Sequence, residues 1–206
     1  MGLKEEALKL HKESKGKLAT KLKVEVKTKK DLSLVYTPGV AEVCKEIAAN
    51  PKTVYDYTIK SNSVAVVSDG SSVLGLKNIG AEASLPVMEG KCVLFKELAN
   101  IDAFPICIKN QNDDEIINIV KNIAPVFGAV NLEDIAAPRC FKIEEALQDI
   151  GIPVMHDDQH GTAVVVLAAL VNAAKVVGKK LEELRIVVNG VGAAGTAVTN
   201  LLLCIG

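Results

Sequence analysis

Two acidic pairs in the second half of the sequence are the residues best suited to carry chemistry. One pair is Glu133 and Asp134, and the other is Asp157 and Asp158. Hard divalent cations such as Mg²⁺ or Mn²⁺ take several oxygen ligands, which carboxylates supply. Two such pairs brought together without a cation would repel each other, and some of their pKa values would rise. The sequence therefore predicts a divalent metal site, with ordinary surface acids as the alternative.

A glycine-rich segment near the carboxyl end indicates a second binding function. The residues Gly190-Val191-Gly192-Ala193-Ala194-Gly195 follow a predicted strand and open an apolar helical run. In that context the glycines allow a tight turn and close approach to a pyrophosphate, which the helix N-terminus binds. The segment predicts a dinucleotide site, and a glycine turn without a ligand is the alternative. The acidic residue that would bind the ribose, roughly twenty residues further on, would lie beyond Gly206.

Two side chains in the first half are candidates for proton transfer. Lys91 stands between Gly90 and an apolar helical run. Burial would lower its pKa from about 10.4 toward neutrality, so that it would act as a base. A surface lysine that keeps its amine in water is the alternative. Tyr36 precedes a Pro-Gly turn that would fix its phenol, and the alternative for Tyr36 is a half-buried packing residue.

Strands and helices that alternate from about Ser63 onward would position these residues. Apolar, β-branched runs predict five strands, at Val64–Val67, Phe104–Ile108, Val126–Val130, Val154–Met155 and Arg185–Val188. Longer helical patterns predict helices near Leu85–Ala99, Asp114–Asn122, Cys140–Ile150 and Thr162–Val177. Such alternation is typical of βαβ units. We therefore predict an α/β fold, a mostly parallel sheet with flanking helices followed by the first β-α unit of a Rossmann-type domain.

Polar residues follow four consecutive predicted strands. They include Asp69, Asn110 and the two acidic pairs. The carboxyl ends of strands in an open parallel sheet form the crevice where ligands bind. Capping of the next helix is the alternative for any single strand, but the recurrence favours a shared site. His156 and His160 flank the second acidic pair, and we expect supporting or structural roles for them rather than a transition-metal site.

Length, charge and cysteine content bound the class of protein. The 206 residues, nearly half of them apolar, are enough for one domain and part of a second. A net charge of −1 offers no general attraction to nucleic acid or an anionic membrane. The first thirty residues hold ten Lys against four Glu. They predict a solvated helix and hairpin, with an anion-binding basic arm as the alternative.

The cysteines and the apolar runs predict a cytoplasmic protein. The five cysteines are scattered and form no C-x-x-C pair, which favours reduced thiols over disulfides or a zinc site. No signal peptide is predicted, because the N-terminus lacks an apolar stretch. The longest apolar run, Ala163–Val171, is too short to span a bilayer.

Several segments, in order, resemble the malic enzymes, in particular the small-subunit bacterial type. The match runs from about residue 30 to the end of the chain, and the Asp-Asp-x-x-Gly-Thr-Ala segment is its most specific part. The segments are Val35-Tyr36-Thr37-Pro38-Gly39-Val40-Ala41, Ser68-Asp69-Gly70, Leu74-Gly75-Leu76, Leu85 to Lys91, Asn131-Leu132-Glu133-Asp134-Ile135 and His156-Asp157-Asp158-Gln159-His160-Gly161-Thr162-Ala163.

The resemblance implies oxidative decarboxylation of L-malate to pyruvate and CO₂ with reduction of NAD⁺ or NADP⁺. It implies that Lys91 is the general base, that Tyr36 is the acid that protonates the enol, and that Asp157 orients Lys91. It further implies Mg²⁺ or Mn²⁺ held by Glu133, Asp134 and Asp158, and a cofactor site at Gly190, Gly192, Ala193, Ala194, Gly195 and Thr162. A homodimer is expected, in which the first thirty residues pack on the neighbouring subunit and Tyr36 belongs to a shared site.

The resemblance also implies a domain plan and has departures. The plan is a basic arm at residues 1–30, a catalytic and metal-binding domain at 31–160 and an incomplete Rossmann domain at 161–206. Lys77 stands where the family usually has Gly, and Ser71 and Ser72 stand where larger members carry a substrate-binding Arg. Because later family asparagines are absent, we expect the 206 residues alone to be inactive. A non-catalytic metal-binding or oligomerising scaffold, and a dehydrogenase for another 2-hydroxy acid, remain alternatives.

Overall fold

The structure, a computed structural model, describes residues 2–205. Its elements in chain order are α1 (Leu3–Ser14), α2 (Lys29–Val35), α3 (Val40–Ala49), α4 (Val54–Tyr57), β1 (Ser63–Ser68), α5 (Gly80–Ala99), β2 (Asp102–Cys107), α6 (Asp113–Ile123), β3 (Ala129–Leu132), α7 (Arg139–Glu145), β4 (Val154–His156), α8 (Asp157–Val176) and α9 (Ala193–Ile205). Short 3-10 turns occur at Pro51–Thr53, Ile59–Asn62, Ala124–Val126 and Leu181–Glu183.

The four strands form one parallel sheet in the order β2-β1-β3-β4. Strand β1 lies in the interior of this order, and all six of its residues are buried. Helices cover both faces, as expected for parallel strands made of continuous apolar residues. One face packs on α6 and α7 through residues such as Ile116 and Ile143, and the other packs on α5 through Met88 and Cys92. The predicted parallel α/β sheet with flanking helices is confirmed.

The predicted elements differ from the observed ones mainly at their ends. Strand β3 begins at Ala129 rather than Val126, because residues 124–126 form a 3-10 turn that contains a proline. Buried Lys60 holds this turn, since its amine donates to the carbonyl oxygens of Ala124 and Phe127. Helix α5 begins five residues earlier than predicted, at Gly80, and α7 already ends at Glu145.

Two predicted elements are wrong within the described residues. Arg185–Val188 forms no strand, because no other described segment lies alongside to complete its hydrogen bonds. The predicted hairpin before residue 30 is also missing: α1 forms, and residues 15–28 contain no strand. Helix α8 runs without a break across residue 160, and the domain boundaries stay predictions.

Helix α8 is apolar enough to need comment. Among the described helices it alone has the length and composition of a membrane span. Only 17% of its most apolar 18-residue stretch is buried inside the protein. This is weak evidence, because helices that pack inside proteins pass the same test. Helix α8 packs along α9, and its first turn carries the second acidic pair.

Candidate functional site

Three carboxylates converge at the carboxyl edge of the sheet. Strands β3 and β4 are parallel neighbours whose register pairs Leu132 with His156, so the acidic pairs after these strands emerge side by side. One oxygen atom from each of Glu133, Asp134 and Asp158 lies within 4.8 Å of the other two. The structure thus brings together the three residues that the sequence analysis assigned to a metal.

The loop after β3 and the start of α8 hold this cluster in place. Asp134 adopts a left-handed backbone conformation with φ of 54°, which Asp tolerates better than most residues. Its backbone N–H donates to Asp158 Oδ2 at 2.9 Å. Asp158 lies in the first turn of α8, where the helix dipole favours negative charge. A hydrogen bond from a main-chain N–H to a side-chain carboxylate therefore joins the two acidic pairs directly.

Burial makes the negative charges of the cluster costly. Burial raises the pKa of Glu133 to about 7, against the opposing effect of Lys91. Burial and the neighbouring Asp158 charge raise the pKa of Asp134 to about 6. A buried carboxylate needs a compensating positive charge, so the site would gain stability from a bound cation.

The donor atoms fit a hard divalent cation. Asp134 Oδ2 is buried and has no hydrogen-bond partner among the described residues, which is rare for a buried carboxylate oxygen. Asn131 donates to Glu133 Oε2 at 2.8 Å. Carboxylate oxygens from three residues form the ligand set that Mg²⁺ and Mn²⁺ prefer.

Lys91 lies beside the cluster, on α5. Its amine donates to Asp157 Oδ2 at 2.7 Å and lies 3.1 Å from Glu133 Oε1. Burial by itself lowers the pKa of Lys91, but the hydrogen bond to Asp157 and the charge of Glu133 outweigh burial and raise it. The expectation of a lowered Lys91 pKa is therefore not met in the chain without a cation.

The position of Asp157 depends on a glycine one turn further along α8. A Cβ atom on Gly161 would lie 2.2 Å from Asp157 Oδ1, far inside van der Waals contact. Gly161 therefore leaves the room in which the Asp157 carboxylate reaches Lys91. Thr162, assigned to the cofactor, lies on α8 next to this glycine.

The glycine-rich segment forms a turn that leads into α9. Gly190 has φ of 124°, and a Cβ atom on Gly195 would lie 2.0 Å from the Gly190 carbonyl oxygen. Both positions therefore require glycine. Helix α9 begins at Ala193 and packs on α8 through Ala163. The turn is linked to the carboxylate cluster through α8, and its role in cofactor binding stays a prediction.

Tyr36 is not brought to the cluster within the described chain. Its side chain is 68% exposed at the end of α2. No described hydrogen bond joins its hydroxyl to Lys91 or to a carboxylate. Among residues 2–205, Tyr36 is therefore the one predicted catalytic residue that has no described contact with the other two.

Lys77 occupies a backbone conformation that suits glycine. It has φ of 65° in the loop between β1 and α5, and this left-handed conformation is unfavourable for a residue with a Cβ atom. The same loop is tied to the cluster, since the N–H of Ser72 donates to the Asp134 carbonyl oxygen at 2.9 Å. The backbone conformation at position 77 thus favours glycine, which is the residue that the malic enzymes usually have there.

Two buried polar contacts near the site were missed by the sequence analysis. Arg139 contacts Asp69 Oδ2 at 3.0 Å and Asp113 Oδ1 at 2.7 Å, which joins the end of β1 and the start of α6 to α7. Glu144 of α7 is buried and accepts hydrogen bonds from the first residues of the β4–α8 junction. Both residues lie in ordinary helical patterns with no motif, so no signal in one sequence separates them from surface charges.

Comparisons with known proteins give a single family. The family model described as "Malic enzyme, N-terminal domain" matches residues 14–115 and 109–148, and "Malic enzyme, NAD binding domain" matches residues 159–205. The bifunctional malic/malolactic enzyme of Bacillus subtilis (strain 168) is 60% identical over 203 residues, 98% of this chain and 50% of that protein. The NAD-dependent malic enzyme of Geobacillus stearothermophilus is 61% identical over 192 residues, 93% of this chain and 40% of that protein.

A solved structure has the same fold. The crystal structure of malic enzyme from Pyrococcus horikoshii Ot3 matches with a TM-score of 0.96 and 56% sequence identity, over 100% of this chain and 48% of that chain. The chain thus spans about half the length of the relatives that it matches.

Proposed function

Because the chain belongs to the malic enzyme family, we propose that it forms the metal-binding and proton-transfer part of an enzyme that oxidatively decarboxylates L-malate to pyruvate and CO₂. NAD⁺ or NADP⁺ is the proposed oxidant. The observation that carries this proposal is the convergence of Glu133, Asp134 and Asp158 beside the amine of Lys91. The arrangement depends on the positions of β3, β4, α5 and α8, which carry or directly precede these four residues.

The proposed cation is Mg²⁺ or Mn²⁺, held by Glu133, Asp134 and Asp158. When bound, it would act as a Lewis acid on the oxygen at C2 of malate. The orphaned Asp134 Oδ2 supports this assignment, and so do the raised pKa values of Glu133 and Asp134. The chain's own contribution is to hold the three carboxylates in place before a substrate arrives.

Lys91 is the proposed base for the C2 hydroxyl. In the described chain its amine donates a hydrogen bond to Asp157 and forms a salt bridge with Glu133. If Glu133 bound the cation instead, Asp157 would remain as the partner of Lys91. The Lys91 amine would then release its proton more readily. The hydrogen bond from Lys91 would keep its lone pair directed into the site, so Asp157 is proposed as the residue that orients the base.

Tyr36 is the proposed acid that protonates the enol at C3, and we propose that a second copy of the chain supplies it. Support comes from the exposure of Tyr36 at the end of α2, where another chain can reach its side chain. Mixing Tyr36→Phe subunits with Lys91→Ala subunits tests this directly. A shared site predicts restored malate oxidation in the mixture, from the heterodimers that keep one intact pair. Two inactive variants that stay inactive when mixed would reject the shared site.

The glycine turn is the proposed pyrophosphate site, formed by Gly190, Gly192, Ala193, Ala194 and Gly195. Thr162 is proposed to lie against the same cofactor. The nicotinamide, when bound, would accept the hydride from C2. The proposed partners are small-molecule ligands rather than nucleic acid or a membrane, and the proposed location is the cytoplasm. The substrate is proposed from the family and not from a contact in the structure.

The test of the proposed function is malate-dependent reduction of NAD⁺ or NADP⁺, in a full-length enzyme that contains this sequence. The account expects activity with Mn²⁺ and its loss in Asp158→Asn, because one of three ligands is removed. Other 2-hydroxy acids in the same assay test the related-dehydrogenase alternative. Equal activity with and without Mn²⁺ would reject the metal role of the cluster.

A non-catalytic metal-binding scaffold is the second candidate, and the left-handed conformation of Lys77, in a loop tied to the cluster, favours it. It expects Mn²⁺ binding and self-association without NAD(H) binding. Calorimetric titration of NAD⁺ into a full-length protein that contains this sequence separates the two candidates. Micromolar affinity for NAD⁺ would reject the scaffold.

A further inference from the structure

A polar network lies next to the carboxylate cluster, at the junction of β4 and α8. Glu144 of α7 is buried, and its carboxylate accepts the backbone N–H of His156 at 3.1 Å and the amide of Gln159 at 2.8 Å. His160 Nε2 lies 2.7 Å from the same carboxylate. One carboxylate thus fixes both ends of the first turn of α8, which carries Asp158.

The network also fixes the ring of His156, which is fully buried. Gln159 must direct its amide nitrogen toward Glu144, because an ionised carboxylate only accepts hydrogen bonds. The same nitrogen lies 3.1 Å from His156 Nδ1, so in the neutral ring Nδ1 accepts and Nε2 carries the hydrogen. The charged ring carries a hydrogen on both nitrogens. In either charge state an N–H group is present at Nε2, which lies 3.0 Å from Asp158 Oδ2.

Asp158 consequently has two different oxygens. Oδ2 accepts a hydrogen bond from the Asp134 backbone N–H at 2.9 Å, and His156 Nε2 lies 3.0 Å from it without the alignment of a hydrogen bond. Oδ1 has neither of these contacts. One hydrogen bond and one close polar contact at the same oxygen favour one rotation of the carboxylate and leave the other oxygen for a cation.

We propose that Glu144 and His156 are positioning residues that hold Asp158 so that Oδ1 alone binds the divalent cation. The proposal rests on the proposed metal site and adds its supporting residues. Groups that orient metal ligands typically change metal affinity by about 10- to 100-fold when they are removed. Neither Glu144 nor His156 needs to touch the cation, the substrate or the cofactor.

The test is Mn²⁺ binding to the purified chain, measured from the electron paramagnetic resonance signal of free Mn²⁺. We expect His156→Leu and Glu144→Gln to weaken binding by about 10- to 100-fold. His156→Gln places an amide nitrogen near the position of Nε2 and should keep the affinity within about threefold of wild type. Glu145→Gln removes the same charge from the exposed neighbour of Glu144, and it should leave the affinity unchanged.

A further variant keeps the test decisive if His156→Leu does not fold, as judged by far-ultraviolet circular dichroism. His156→Asn carries its amide near Nδ1 rather than Nε2, so it should bind Mn²⁺ more weakly than His156→Gln. Equal affinities of these two variants would overturn the positioning role.

The failures of the two proposals are distinguishable. If wild type binds Mn²⁺, Asp158→Asn does not, and the Glu144 and His156 variants match wild type, the positioning role is overturned and the metal site stands. A wild-type chain that binds no Mn²⁺ overturns both.

Discussion

The carboxyl edge of the sheet and the amino-terminal segment differ sharply in burial. Every residue of β1 is buried, and Glu133 and Asp134 at that edge are buried too. Among residues 2–62, in contrast, Lys60 is the only buried residue. Apolar side chains there, such as Leu22 and Leu34, lie exposed at the surface.

This difference separates the two halves of the proposed site. The carboxylates and Lys91 are assembled by contacts inside one chain, whereas Tyr36 lies on a segment with little packing of its own. Exposed apolar surface gains about 25 cal/mol per Å² when it is covered, and contiguous patches of it mark interaction sites. The base and metal half is therefore preassembled within one chain, while the phenol half is proposed to depend on a second copy of the chain.

The largest effect on turnover is expected from a substitution of Lys91, in the preassembled half of the site. In a full-length enzyme, Lys91→Ala removes the base and should lower kcat by about 10²- to 10⁴-fold. Lys96→Ala is the matched control on the same helix, because Lys96 pairs with Asp102 at the surface, and its kcat should stay near wild type. Steady-state malate oxidation measures both, and unchanged turnover in Lys91→Ala would reject the base.

Tyr36→Phe should separate the two halves functionally. We expect a loss in kcat of about 10²- to 10⁴-fold, as for removal of a general acid, with unchanged Mn²⁺ affinity, since Tyr36 has no described contact with the carboxylates. Tyr57→Phe, a change at another exposed tyrosine, should affect neither quantity. A large drop in Mn²⁺ affinity in Tyr36→Phe would contradict the separation.

The buried half should show a distinct dependence of stability on pH when no cation is present. Glu133 has a folded-state pKa of about 7 against an ordinary value of 4.5, so the folded chain keeps a proton that the unfolded chain releases. Stability should therefore fall as pH rises from about 4.5 to 7, by on the order of 3 kcal/mol for Glu133. Asp134, with a pKa of about 6, adds in the same direction.

Urea unfolding of the metal-free chain at several pH values measures this slope. Glu133→Gln cannot ionise and should flatten it, and Mn²⁺ should stabilise wild type more at pH 7.5 than at pH 5. Equal slopes in wild type and Glu133→Gln would show that Glu133 is not the buried acid described above.

A smaller effect is expected in the glycine turn. A Cβ atom at Gly195 would meet the Gly190 carbonyl oxygen at 2.0 Å, whereas nothing lies within 4 Å of one at Gly192. Gly195→Ala should therefore destabilise the chain by about 1–3 kcal/mol, and Gly192→Ala should change stability by less than about 1 kcal/mol. Thermal unfolding compares the two, and equal melting temperatures would contradict the packing of this turn.

The metal half of the site could be predicted from the sequence because its causes are local. Each acidic pair directly follows a strand of the sheet, and parallel neighbours bring such ends together whatever the details of packing. Lys91, in contrast, does not follow a strand, so only the resemblance predicts that it lies beside the acidic pairs. Its position depends on how α5 crosses the sheet, which periodicity does not specify.

The predictions that failed depend on contacts between distant residues. Arg185–Val188 has the composition of a strand, but a strand also needs a neighbour. The raised pKa of Lys91 arises from Asp157 and Glu133, which lie far along the chain. Glu144 looks like any helical glutamate until the fold places it under the β4–α8 junction.

The most direct test of the central claim is the anomalous scattering of crystals soaked in Mn²⁺. The account predicts one strong peak among Glu133, Asp134 and Asp158, with carboxylate oxygens at about 2.1 Å and with Asp158 bound through Oδ1. A peak elsewhere, or carboxylates that stay empty at saturating Mn²⁺, would contradict it.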